Sequence, residues 1–93
     1  MVLKFAPWGS NPTFDWDEYN DNEIWKHRIR DFEIEQCFEN DYTVIRHKKA
    51  MTEPEKYGDR YMVRGRTDGG RKLVIIVQYL GANFVRPVTA WDE

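Results

Sequence analysis

The chain has 93 residues, with 14 Lys/Arg against 16 Asp/Glu, and is 41% hydrophobic and 15% aromatic. That length supports one domain with one modest core, and that aromatic content excludes a disordered chain. No apolar run approaches the roughly 20 residues that a membrane-crossing helix requires, no basic-then-apolar leader marks export, and the single Cys37 excludes an internal disulfide and a four-thiolate metal site. The expectation is one cytoplasmic domain with no membrane association.

Net charge is −2, but it is divided along the chain. Residues 1–45 carry four Lys/Arg against ten Asp/Glu, and residues 46–72 carry nine against four. An acidic half and a basic half fit an ordinary solvated surface. They also fit one positive face on a folded domain.

Residues 1–12, with Pro7, Gly9, Ser10 and Pro12, read as an irregular arm in which Val2-Leu3-Lys4-Phe5 could make a short edge strand. A single domain is expected over 13–93. Thr13-Phe14-Asp15-Trp16 alternates and leads to Asp17, a good N-cap, so a short strand should precede a helix over about 18–28. Asn20, Ile24 and His27 share one face of that helix. A second helix is expected over about 32–39, capped by Asp31, with Ile34, Cys37 and Phe38 as its apolar stripe. Residues 42–47 read as a strand, followed by a polar segment through Pro54 and Gly58. A strand over 60–67, the turn Asp68-Gly69-Gly70 and a strand over 72–80 form a hairpin. The unbroken apolar run at 73–77 marks a central strand covered on both faces. A last strand over 84–91 contains Pro87, which places an edge or a bulge there. Helices first and a meander after predict an α+β fold, with two N-terminal helices packed on one face of an antiparallel β-meander sheet.

Strand alternation sets Arg60, Met62, Arg64 and Arg66 on one face and Tyr61, Val63 and Gly65 on the other. With 60–67 and 84–91 flanking the central strand, Arg86 would join the same face. Guanidinium groups there could hold a phosphate and stabilise developing charge, or could pair with the acidic helical half as salt bridges. Proton-transfer candidates are His27, His47, Glu33, Glu35 and Tyr61. His27 also fits a hydrogen-bonded histidine at the core edge. His47 lies among Arg46, Lys48 and Lys49, whose charge should keep it neutral. With only two distant histidines and one cysteine, no metal site and no cofactor are expected. Cys37, on an apolar helix face, reads as a buried small hydrophobe. Trp8, Trp25 and Trp91 are either core residues or stacking surfaces for unpaired bases.

Phe14-Asp15-Trp16-Asp17-Glu18-Tyr19-Asn20, with Ile24 and Lys26-His27 after it, resembles the opening motif of the BrnT toxin family. Phe32-Glu33-Ile34-Glu35 with Phe38 is similar to its second-helix pattern. Residues 60–67 with Gly70-Arg71 resemble its central hairpin, and Val85-Arg86-Pro87-Val88-Thr89-Ala90 its closing strand. The likeness spans about residues 13–91. It implies a RelE-like fold and a toxin of a type II toxin–antitoxin pair that cuts RNA without a metal. It also implies a cognate antitoxin covering the basic face, in a homo-oligomer or a toxin–antitoxin hetero-oligomer. The motif positions fall on Lys26, His27, Arg64 and Arg86, with the arginines on the phosphate and Lys26 or His27 near the proton transfers. Arg60, Arg66, His47 and Lys48 are the expected further RNA contacts. Many members carry an arginine where this chain has Trp91, and continue into a charged helix where it ends. Both departures fit a second reading, a catalytically degenerate interaction module binding a partner protein through the basic face.

Overall fold

The apolar run at 73–77 lies in the middle strand of the sheet, as its lack of alternation requires. The computed structural model describes residues 2–93, so residue 1 of the expected arm lies outside the described residues. The elements in order are β1 (Thr13–Phe14), α1 (Glu18–Trp25), α2 (Asp31–Glu39), β2 (Thr43–Arg46), α3 (Lys48–Thr52), α4 (Pro54–Tyr57), β3 (Arg60–Arg66), β4 (Lys72–Gly81) and β5 (Phe84–Asp92). They form an α+β fold around a five-stranded sheet of order β1-β5-β4-β3-β2. No helix among the described residues is long and apolar enough to cross a membrane.

Strands β2 to β5 pair antiparallel, as the hairpin signals predict. The sheet is nevertheless mixed, because β1 lies parallel to β5, with Thr13 opposite Phe84 and Phe14 opposite Val85. A parallel neighbour needs a long crossover and carries no turn signal. The expected all-antiparallel meander therefore gains a parallel edge strand. The bulge at Pro87 is present: Ile76 pairs with Thr89 and Val77 with Pro87, which leaves Val88 without a partner.

The helices take different places. α2 packs across β3 and β4, whereas α1 runs chiefly against β5. Asp17 caps α1 by accepting from Tyr19 N and Asn20 N, and Asn20 Oδ1 returns the bond to Asp17 N at 2.8 Å. The buried Asn20 amide also donates to the carbonyls of Asp15 and Pro87. One side chain thus caps α1 and ties it to the bulge of β5. α1 ends at Trp25, short of the expected 28, because Arg28 adopts a left-handed φ of 58°. α2 starts one residue early, with Glu33 accepting from Arg30 N. The expected polar connection at 48–57 instead contains two short helices, α3 begun by His47 and α4 by Pro54 at its first turn.

The core gathers Ile24, Ile34, Cys37, Phe38, Val44, Val63, Leu73, Ile75, Val77 and Val85. The irregular arm contributes more than expected. Trp8 is 2% exposed, with its ring centroid 5.7 Å from Phe38 and 5.8 Å from Tyr61 and its indole N–H donating to the Tyr42 hydroxyl. The arm also pairs with β2 through a Val2–Ile45 bridge.

α2 approaches β3 closely because position 65 lacks a side chain. A Cβ on Gly65 would lie 2.7 Å from Cys37 Cβ and 3.2 Å from Cys37 O. Gly65→Ala should therefore lower stability by about 1–3 kcal/mol through overpacking, read as a fall in the urea midpoint. Cys37→Ala should not relieve the loss, since it keeps the Cβ that is struck.

Candidate nucleic-acid interface

The register gives each row of the sheet face opposite α2. Arg66 faces Lys72, Arg64 faces Val74 and then Trp91, Met62 faces Ile76 and then Thr89, and Arg60 faces Gln78 and then Arg86. Alternation therefore puts Arg60, Arg64, Arg66 and Arg86 on one side of the sheet, as expected. Along and across the strands, however, they separate into two groups.

The first group is Arg64, Arg66 and Lys72, which line a cleft of about 540 Å³ with Asn40, Asp41 and Glu93. Arg64, Arg66 and Lys72 are exposed, and among the described residues none makes an ion pair. The second group is Arg60 and Arg86, which share a cleft of about 240 Å³ with Tyr19, Glu23 and Gln78. Arg86 is held by two carboxylates, Asp15 at 3.2 Å and Asp17 at 2.9 Å. Strand rise and spacing put the Cα atoms of Arg64 and Arg86 roughly 16 Å apart. The expectation that Arg64, Arg66 and Arg86 converge on a single phosphate is corrected accordingly. Arg64 and Arg86 lie two strands and four residue positions apart, and the acidic start of α1 already engages Arg86.

Lys26 and His27 meet at Glu23. Lys26 Nζ lies 3.3 Å from Glu23 Oε1, and His27 Nε2 lies 3.7 Å from Glu23 Oε2. Glu23 Oε2 also accepts from the Thr89 hydroxyl at 3.0 Å, which anchors the group to β5. The Thr89 bond first, then Lys26 and His27, holds the Glu23 carboxyl below the ordinary range against an opposing desolvation. Asn20 and Ile24 are buried while His27 is exposed, so the face they were expected to share faces solvent at its last member.

His47 and Lys48 lie at the other edge of the sheet, at the end of β2, and cannot share a proton transfer with His27. His47 Nδ1 accepts from Lys49 N as the cap of α3. Burial first, then Lys49 and Arg60, lowers its proton affinity, which agrees with a neutral ring. Lys48 is exposed. Of the tryptophans, Trp8 belongs to the core, Trp91 is 38% exposed beside Val74, and Trp25 is 41% exposed with the Arg28 and Arg30 guanidiniums 4.9 and 4.2 Å from its ring. Cys37 is fully buried, and desolvation pushes its thiol up to about 11, consistent with an inert packing residue.

Arg71, Glu23 and Lys72 are site or support residues that residue patterns alone did not single out. Arg71 Nε donates to Asp92 at 2.6 Å and its second terminal nitrogen to the other Asp92 oxygen at 2.9 Å. Its remaining nitrogen reaches Glu33 at 3.2 Å and the Arg28 carbonyl at 2.9 Å. This fork joins the β3–β4 turn, the end of β5 and the α1–α2 connection that carries His27. Its partners are remote in sequence, so no local pattern reveals them. No family model, curated protein or solved structure matches the chain.

Arg71→Ala should cost about 2 kcal/mol, the scale of charge-assisted hydrogen bonds, measured by chemical denaturation, with Arg71→Lys recovering part of it. The carboxyls of Asp17, Glu23 and Asp92 are lowered by Asn20 N–H, Thr89 and Arg71 respectively as the leading causes. The folded state then binds fewer protons than the unfolded chain, so stability increases with pH. The thermal midpoint should stay level from pH 7 to about 5 and drop below about pH 4 as these groups protonate. A midpoint unchanged down to pH 3 would contradict the assignment.

Proposed function

We propose that this chain is a BrnT-like toxin of a type II toxin–antitoxin pair, with a RelE-like fold in which the N-terminal helices form the layer behind the sheet. It acts as a metal-independent endoribonuclease and is neutralised by a cognate antitoxin. The observation that carries this reading is the exposed group Arg64, Arg66 and Lys72, which has no carboxylate partner among the described residues. Unpaired cations on an open sheet face are the electrostatic signature of phosphate binding.

In this reading the scissile phosphate occupies the cleft of Glu23, Arg60 and Arg86, and the flanking backbone crosses Arg64, Arg66 and Lys72. The His27–Glu23 pair removes the proton of the ribose 2′-hydroxyl, whose oxygen attacks phosphorus. The bond from phosphorus to the 5′-oxygen breaks, and Lys26 or the protonated His27 returns a proton to that oxygen. A cyclic phosphate and a free 5′-hydroxyl result. Arg60 neutralises charge on the phosphoryl oxygens, and Arg86, steadied by Asp15 and Asp17, supplies a fixed positive charge. His47 and Lys48 contact the backbone at the far edge.

Cleavage of an unstructured, end-labelled RNA with EDTA present tests this. The wild type should cut, His27→Ala and Arg60→Ala should each reduce the rate by about 100-fold, and Arg64→Ala should chiefly weaken RNA binding. No cleavage by the wild type overturns the enzyme reading. A second reading is favoured by the Arg86 ion pairs and by Trp91. In it the fold is a degenerate toxin whose basic face binds an acidic partner protein. A stable protein complex lost in Arg64→Glu/Arg66→Glu, with no RNA cleavage, identifies that case.

A further inference from the structure

A second cationic cluster adjoins the catalytic cleft, on the segment between β2 and β3 and at Arg60, the first residue of β3. Lys49 Nζ, Lys56 Nζ and the Arg60 guanidinium lie 5.2, 5.3 and 5.4 Å from the centroid of a single ring, that of Tyr57. None of the three makes an ion pair among the described residues. Of the acids on this segment, Asp59 accepts from Gln78, and neither Glu53 nor Glu55 makes an ion pair among the described residues. Arg60 Nε is buried without a hydrogen-bond partner. An aromatic face attracts each cation weakly, but the three repel one another, and the ring carries no net charge to offset that. A phosphate would.

Arg60 also begins the row of β3. From Arg60 to Arg66 the cations of one face extend over six residues, about 20 Å at the usual strand rise. The α3–α4 cluster thus continues a line of positive charge rather than standing alone. A line of that length suits an extended polyanion better than a single nucleotide.

We propose that Lys49 and Lys56 around Tyr57, adjoining Arg60 of the catalytic cleft, form a second phosphate-binding station, which holds single-stranded RNA beyond the reacting bond. This rests on the RNA reading above for its ligand, though not for its anion affinity.

The test uses the full chain and two probes. The first is a fluorescent uridine 12-mer, with binding measured by anisotropy at several salt concentrations. Lys49→Gln/Lys56→Gln should flatten the plot of log K against log salt by about 1.4, because each lost contact to a single strand removes about 0.7. Both lysines are exposed, and circular dichroism verifies the fold. The second probe is inorganic pyrophosphate, followed by amide chemical shifts, which should move at residues 48–60 in the wild type and not in the double variant. Oligonucleotide binding with an unaltered salt slope in the double variant overturns the station. Pyrophosphate shifts at 48–60 without oligonucleotide binding keep the station and overturn the RNA reading. Neither signal overturns both.

Discussion

Five consecutive apolar residues, 73–77, must be buried on two faces of a strand at once. Leu73, Ile75 and Val77 meet the core and are fully covered. Val74 and Ile76 point to the other face, yet each is only 5% exposed. Their cross-strand neighbours are Arg64 and Trp91 for Val74, and Met62 and Thr89 for Ile76. Arginine carries an apolar stem beneath its charged head. A strand that needs cover and a surface that displays guanidinium groups therefore satisfy each other. Covering the outward face of β4 draws on Arg64, Trp91, Met62 and Thr89, and of these Arg64 adds positive charge to that face.

Charge is then allotted between structure and surface. Arg71 and Arg86 are held by carboxylates of other elements, Arg71 by Glu33 and Asp92 and Arg86 by Asp15 and Asp17. These pairs join the helical segment to the closing strand. Arg64, Arg66 and Lys72 have no such partner among the described residues and remain exposed. Among the described residues, Arg71 is consequently the one cation of the basic half that the acidic N-terminal half pairs with, through Glu33. Net charge says nothing of this, because it averages over both.

Position along the sheet decides which groups can act together. His27 approaches β5 through Glu23 and Thr89, whereas His47 begins α3 beyond β2. The strand order keeps them at opposite edges. The second-edge segment, with α3 and α4, is thereby removed from proton transfer.

Much of this was legible in the sequence because the signals were local. Asp17 as a cap, Cys37 as packing, the turn at Gly69-Gly70, the bulge at Pro87 and the arginine alternation of β3 each follow from spacing over a few residues. The α+β class follows from their order. The tertiary structure alone decided that β1 lies parallel to β5, that Trp8 of an irregular arm enters the core, and that Arg86 is taken by Asp15 and Asp17. It also decided that Arg71 gathers three segments. These contacts join residues about 20 to 70 positions apart. Side-chain periodicity reports only which way a residue faces, and packing of the whole chain determines what it meets there.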